Sequence, residues 1–199
     1  MQLSIVTLGH VHAEDLAPLT HCFDRLEQLV LDINPRAAIN DHRAELNRAV
    51  DAATGDWILV IRERETVDEA LAKEISELVS DNPRAWGFRI RTTPLYAGAP
   101  LKLGDEAGEL RLFHRRHLLR RGDVLVQGTV IRAQHAFQAI TFATADEHRE
   151  YLAKKTAPHS ALRHVLLFAS YVAAAGTLDR NTLRYLWIEA AFDHAIGEQ

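Results

Sequence analysis

The fold is decided by the stretch Ala53-Thr54-Gly55-Asp56-Trp57-Ile58-Leu59-Val60-Ile61, which runs straight into Arg62-Glu63-Arg64-Glu65. Ala-Thr-Gly is typical of a helix end, and Gly55 is predicted to be its C-cap glycine. The apolar run from Trp57 to Ile61 predicts a strand covered on both faces, and therefore a central one. The four charges that follow are expected at the edge of the sheet.

Composition defines the class of protein. The 199 residues, 47% of them hydrophobic and 25% charged, fit one globular domain with at most a small appendage. A net charge of −4 gives no reason to expect a nucleic-acid partner. The single cysteine, Cys22, suits a reducing compartment. Because the sequence shows neither a signal peptide nor an apolar run of about 20 residues, we expect a cytoplasmic protein without a transmembrane segment.

Strand and helix patterns alternate in the first 80 residues, which predicts parallel strands joined by crossover helices. The early strands are predicted at 3–8, 28–32 and 57–61, and the early helices at 13–26, 40–54 and from the capping box at 66–69. Later strands, at 86–91, 110–113 and 124–131, follow loops and predict antiparallel additions. We therefore predict an α/β domain over residues 1–146 with a mixed, mainly parallel sheet, and a C-terminal helical extension over 147–199 packed on it.

Ligands of such sheets bind beyond the carboxyl ends of the strands. Residues 7–12, 32–35 and 62–65 are expected to converge there. This edge is the candidate site.

Several motifs together resemble glycosyltransferase family 2, with the glycosyltransferase-A fold, and most nearly its bacterial branch that adds glucose to the lipopolysaccharide core. These are Asp32 at the end of the second strand, Asn47-Arg48-Ala49, the stretch 53–57, Leu110-Arg111-Leu112-Phe113 with Arg115 and Arg116, Glu150-Tyr151-Leu152 and Gly176-Thr177-Leu178-Asp179. The resemblance implies a three-layer sandwich and a role in nucleotide-sugar-dependent synthesis of surface polysaccharide. It also implies that Asp32 faces the nucleotide base, and that Asn47, Arg115 and Arg116 belong to the substrate site.

The chain departs from this family at the residues that perform the chemistry. The family neutralises the leaving diphosphate with Mg²⁺ or Mn²⁺ held by an Asp-x-Asp pair. Arg62 and Arg64 stand at the matching positions, and guanidinium groups would repel such a cation. The region of the family's general base, Leu125-Val126-Gln127, holds no carboxylate, and the 14 residues from Ile33 to Leu46 are about half of what the family places there. We therefore predict no metal cofactor and a degenerate site with impaired or absent catalysis.

Two alternatives stay open. Arg62 and Arg64 can neutralise a diphosphate directly, because guanidinium groups bind phosphate oxygens in a bidentate fork. The protein would then be a metal-independent transferase in which Glu63 or Glu65 orients the sugar. Otherwise the four charges form a solvated turn, and the chain is an unrelated α/β structural or partner-binding module. No catalytic base is assigned, since nothing in the spacing selects among Asp105, Glu106 and Asp123.

Other clusters have both a functional and a structural interpretation. The cationic run 113–121 suits an anionic glycan, a diphosphate or peripheral contact with a membrane, or else a solvated face. His114 and His117 have a metal-compatible spacing, but the sequence offers no clear carboxylate or cysteine partner for them. Trp187 is predicted to lie in the core or on a dimer face. The predicted partners are a nucleotide diphosphate sugar or glycan, a second copy of the chain, or a partner transferase.

Overall fold

The computed structural model describes residues 2–32, 43–80, 85–102, 107–119, 125–153, 167–173 and 179–192. The strands are β1 (Gln2–Leu8), β2 (Arg25–Leu31), β3 (Trp57–Arg62), β4 (Glu65–Thr66), β5 (Gly87–Tyr96), β6 (Ala99–Pro100), β7 (Glu109–His114), β8 (Leu118–Leu119), β9 (Leu125–Val126) and β10 (Val130–Phe142). The helices are α1 (Ala17–Cys22), α2 (Arg43–Ala52), α3 (Glu69–Leu78), α4 (Ala145–Ala153) and α5 (Arg180–Phe192). Residues 167–173 are also helical, and Ala13–Leu16 and Arg115–His117 form 3₁₀ turns.

The main sheet has the order β2-β1-β3-β7-β5-β10-β4, with β6 paired to β5. β1 runs parallel to both β2 and β3, whereas β7 is antiparallel to β3 and β5, and β4 is antiparallel to β10. The predicted α/β class and mixed sheet are confirmed. The expected predominance of parallel pairing is wrong, because α1 and α2 serve as crossovers only among the first three strands.

Both faces of the parallel part of the sheet are covered by helices. Alternate residues of β1 point to opposite faces, so Leu3 and Ile5 join one buried cluster and Val6 and Leu8 another. The first cluster includes apolar side chains of α1 and α3, and the second includes those of α2. All five residues from Trp57 to Ile61 are at most 4% exposed, which confirms a central strand.

Gly55 has a different role from the predicted one. Its φ angle is not in the left-handed region, so it is no αL helix cap. A Cβ on Gly55 would lie 2.7 Å from Ser4 Oγ and 2.8 Å from Ser4 N, and its own N–H donates to Ser4 Oγ at 2.8 Å. Glycine is needed here because the connection between α2 and β3 lies directly against the start of β1.

At the same end of the sheet, Glu27 of β2 links β1 to the connection between α2 and β3. Its Oε2 accepts hydrogen bonds from Ser4 Oγ at 2.6 Å, from Thr54 N at 2.7 Å and from Thr54 Oγ1 at 3.1 Å. Partial burial raises the pKa of Glu27, but the hydrogen bonds from Ser4 and Thr54 outweigh it and hold the pKa below its ordinary value. The Ala53-Thr54-Gly55 motif therefore has a structural role: it fixes the connection between α2 and β3 to β1 and β2 at the amino edge of the sheet.

The start of α3 lies near the predicted position but is capped by another residue. Asp68 Oδ1 accepts a hydrogen bond from Leu71 N at 2.8 Å, which makes Asp68 the N-cap. Thr66, the predicted start of a capping box, belongs to β4.

The chain divides into two compact units, Met1–Thr92 with Asp105–Ala139, and Thr93–Gly104 with Ile140–Gln199. The core of the second unit contains Tyr96, Leu101, Phe142, Ala145, Leu152 and Ile188. The domain boundary at residue 146 stays a prediction. Trp187 is 43% exposed, so the prediction that it lies in the core is wrong, and the alternative of a dimer face stays a prediction. Of the helices that the structure describes, none combines the length and apolar character that crossing a membrane requires.

Candidate functional site

The carboxyl ends of β1, β2 and β3 lie side by side. Leu8, the last residue of β1, pairs with Leu31 of β2 and with Arg62 of β3. Two backbone hydrogen bonds extend this register by one residue, from Gly9 N to Leu31 O at 2.9 Å and from Glu63 N to Leu8 O at 2.8 Å. At a strand spacing of about 4.8 Å, Asp32 and Glu63 therefore flank Gly9 with their backbones roughly 10 Å apart.

Polar side chains at this edge face solvent to different degrees. Asp32, Glu63 and Arg64 are exposed, whereas Arg62 is partly buried. Glu63 and Arg64 form the turn between β3 and β4, and Arg64 has φ +66°, a conformation that is costly for a residue with a Cβ. The structure therefore brings together four of the eight predicted substrate-binding residues at one edge.

Glu65 is buried instead of facing this edge. Its two carboxylate oxygens form a bidentate pair with Arg111, with Nη2–Oε1 at 2.8 Å and Nη1–Oε2 at 3.1 Å. Oε2 also accepts from Arg62 N at 2.8 Å, and Oε1 accepts from Thr92 Oγ1 at 3.0 Å. The carboxylate is thus fully used in holding β3, β4, β5 and β7 together.

Arg62 is tied into the same group of charges. Its Nη2 lies 2.9 Å from Glu109 Oε1, and Glu109 Oε2 lies 3.0 Å from Arg111 Nε. The second contact is an ion pair without a hydrogen bond between these two atoms. Arg62, Glu65, Glu109 and Arg111 therefore form a network of two cations and two carboxylates, which we call the four-charge network.

The residues of the four-charge network and the adjoining turn do not fit a divalent cation. Mg²⁺ and Mn²⁺ take oxygen ligands, but Arg62 and Arg64 offer only guanidinium groups, and the carboxylates of Glu65 and Glu109 are already bound to guanidinium groups. Over the described ranges, no three His, Cys, Asp or Glu side chains gather into a possible metal site. No reaction step through a metal follows from this arrangement.

Arg115 and Arg116 lie at the opposite end of β3. Because Trp57 pairs with His114, these arginines flank Asp56, with Arg115 N donating to Asp56 O at 2.8 Å. The Arg115 guanidinium also donates to Ala53 O. Arg62 is five strand residues away, roughly 17 Å at about 3.3 Å per residue, so the two groups of predicted substrate-binding residues do not meet.

Asn47, the remaining predicted residue, lies half-buried in the middle of α2, next to buried Leu46. Arg120, Arg121, Asp105, Glu106 and Asp123 lie outside the described residues. The structure therefore does not select among the three acids, and no catalytic base is assigned.

His114 and His117 belong to an aromatic cluster. The His117 ring stacks on Trp86 at 4.1 Å and 9°, and His114 contacts Trp57 edge-on at 5.2 Å. Burial, together with the nearby His117, lowers the pKa of His114. This arrangement favours a packing role for the pair.

The sequence interpretation missed the structural importance of Arg111 and Glu109. A signal was present, because Arg111 stands between Leu110 and Leu112 in an apolar strand, and a charge there requires a partner. Sequence spacing does not identify Glu65 as that partner, since it lies 46 residues away.

A second buried group that sequence reasoning missed lies in the second unit. His148 is fully buried, and its ring stacks between Phe142 at 4.3 Å and Tyr185 at 5.0 Å. Its Nε2 lies 2.9 Å from Glu189 Oε1. Burial and the Glu189 carboxylate raise the pKa of Tyr185. We interpret this group as a polar core.

No family model matches the chain, and no curated protein matches it. Among solved structures it is similar to the bifunctional IspDF from Campylobacter jejuni, at 9% identity and a TM-score of 0.41 over 67% of this chain. It is also similar to S. aureus TarS 1-349, at 10% identity and a TM-score of 0.42 over 96% of this chain and 81% of that one. The chain spans about half the length of IspDF, 49%. The sheet topology of the chain defines it as an α/β protein with a mixed sheet.

Proposed function

We propose that the chain is a glycosyltransferase-A-like domain of the family 2 type, related to nucleotide-sugar-dependent synthesis of surface polysaccharide. It binds a nucleotide diphosphate, its sugar conjugate or a glycan at the carboxyl edge of β1, β2 and β3, without a divalent cation and without sugar transfer. Helices on both faces of the sheet support the three-layer arrangement that this proposal includes.

The four-charge network is the observation that carries the proposal. Sugar transfer requires charge stabilisation of the leaving diphosphate in the transition state. At this corner two guanidinium charges are matched by two carboxylate charges within 3.1 Å. The network therefore adds little net potential that would hold a metal or stabilise the developing charge of a leaving diphosphate, which favours binding without sugar transfer.

Asp32 is the residue to which this proposal assigns recognition of the nucleotide base. Its carboxylate is exposed at the end of β2, beside the turn at Gly9. A carboxylate at this position can accept hydrogen bonds from the N–H groups of a base. Binding through such contacts needs no metal and gives affinity without turnover.

Thermal unfolding and calorimetric titration with uridine and guanosine diphosphate, each with Mn²⁺ and with a chelator, test the proposal. We expect one of these nucleotides to raise the melting temperature equally under both conditions, and nucleotide-sugar to stay intact. Asp32→Asn should abolish the shift. Asp24→Asn, an exposed acid at the other end of β2, should keep it. Stabilisation that requires Mn²⁺, or release of the sugar, contradicts the proposal.

One observation favours a second candidate, the metal-independent transferase, because Arg64 is exposed at the same edge. Arg62 supports it less, since its guanidinium contacts Glu109. The double variant Arg62→Ala/Arg64→Ala decides between the two candidates. Unchanged affinity for the nucleotide diphosphate removes the second, whereas loss of both affinity and sugar release establishes it. Absence of any nucleotide effect favours the structural or partner-binding module.

A further inference from the structure

A cleft in the second unit is lined by Arg180, Asn181 and Arg184 and has a volume of about 400 Å³. This volume lies in the range of small-molecule sites. The lining side chains that belong to described residues come from the first two turns of α5, and both arginines are exposed. Within the described part of the chain, no ion pair neutralises either guanidinium.

The cleft is built on a fixed backbone. Asn181 Nδ2 donates to Tyr96 O at 3.0 Å and to Ala99 O at 3.1 Å. Lys102 N donates to Thr182 Oγ1 at 3.1 Å. These bonds hold residues 96–102 against the first turn of α5, so the Asn181 amide is already used for positioning.

The positive charge at this cleft comes from side chains and not from the helix end. Asp179 Oδ1 accepts from the backbone N–H groups of Asn181 at 3.1 Å and Thr182 at 3.0 Å, so the helix is already capped there. Arg180 and Arg184 are four residues apart and therefore share one helix face. Both guanidinium groups line the cleft.

We propose that this cleft binds a phosphate group, with Arg180 and Arg184 as bidentate donors. Guanidinium groups match phosphate oxygens in both geometry and charge. The ligand class is a phosphate ester or diphosphate. This inference goes beyond the proposed function, because the residues belong to a different unit from Asp32 and the four-charge network.

Two sources offer the same phosphate chemistry, a soluble phosphate compound and a lipid headgroup. Trp187 is 43% exposed and lies three residues after Arg184, so it shares that side of α5. An exposed tryptophan beside cations is typical of membrane interfaces. The two sources are separated by the choice of probe.

Calorimetric titration of the full chain with pyrophosphate, and co-sedimentation with phosphatidylglycerol vesicles, test the inference. We expect at least one probe to bind, and Arg180→Ala/Arg184→Ala to weaken that binding at least about tenfold, equivalent to about 1.4 kcal/mol. Arg149→Ala is the matched control, since Arg149 is an exposed arginine of the same unit paired with Asp146. Circular dichroism checks that each variant is folded.

Binding of pyrophosphate that the double variant loses, and that Asp32→Asn keeps, supports a soluble ligand at this cleft even if the carboxyl edge binds no nucleotide. Binding only to vesicles, lost in the double variant and weakened by Trp187→Ala, supports a lipid headgroup. Binding of neither probe, or binding that the double variant retains, overturns the inference.

Discussion

Arg111 and Glu65 form a bidentate ion pair in the core of the sheet, with Nη2–Oε1 at 2.8 Å and Nη1–Oε2 at 3.1 Å. The two side chains are 1% and 3% exposed. Charges this deeply buried are tolerated only when each has its partner and further hydrogen bonds. Arg111 also donates to Val60 O at 3.3 Å, so the pair anchors β3 and β7 as well as the β4 turn.

Replacing Arg111 with methionine leaves the Glu65 carboxylate buried without its counter-charge. We expect the free energy of unfolding to fall by about 3–5 kcal/mol, measured by urea denaturation. The double variant Glu65→Gln/Arg111→Met should be less destabilised than Arg111→Met alone, because no unpaired charge remains. Equal loss in both variants would show that packing, and not charge, is what Arg111 supplies.

Gly55→Ala should destabilise the protein by about 1–3 kcal/mol, because the added methyl group overlaps Ser4 and the backbone must move. Ser4→Ala in the same chain should not restore stability, since Ser4 N and Gln2 O remain within 3.0 Å of the new Cβ. Gly98→Ala serves as a comparison, because nothing lies within 4 Å of its Cβ position and only its φ of +78° is strained. Thermal unfolding of the three variants gives the ranking, and a neutral Gly55→Ala would disprove the close approach.

Glu27 should stabilise the fold in a pH-dependent way, with a contribution that is lost as the pH falls. Its pKa in the folded state lies below the ordinary value of 4.5, so the folded protein favours the ionised form. The stability advantage of wild type over Glu27→Gln should be complete above pH 4.5 and should shrink as the pH falls through the folded-state pKa. Urea unfolding at several pH values measures this, with Glu77→Gln on exposed α3 surface as the control. If the stability difference between wild type and Glu27→Gln stayed constant down to acid pH, the hydrogen bonds from Ser4 and Thr54 to an ionised Glu27 would be contradicted.

Arg64 is expected to carry backbone strain at its φ of +66°. Arg64→Gly and Arg64→Ala remove the same side-chain contacts but differ in their tolerance of the left-handed region. The glycine variant should therefore be more stable than the alanine variant by about 1 kcal/mol, measured by chemical denaturation. Equal stability of the two would mean that this turn relaxes at no cost.

Much of the framework was predictable because it depends on local patterns. An unbroken apolar run from Trp57 to Ile61 marks a buried strand wherever it lies in the chain, and the first strands and helices were found in the predicted order. Antiparallel addition of β5 and β7 followed from the loops between them. The pairing order of the sheet was not predictable, since β7 inserts between β3 and β5 through contacts distant in sequence.

The sequence by itself determined the α/β class, the central strand and the run of charges Arg62-Glu63-Arg64-Glu65 at its end, since these are properties of neighbouring residues. Only the tertiary structure decided that Arg62 contacts Glu109, that Glu65 is buried against Arg111, and that Arg115 and Arg116 lie at the other edge of the sheet. A charge has no preferred partner until folding brings distant strands together and removes water, because only then does the energy of an unpaired ion select the neighbour.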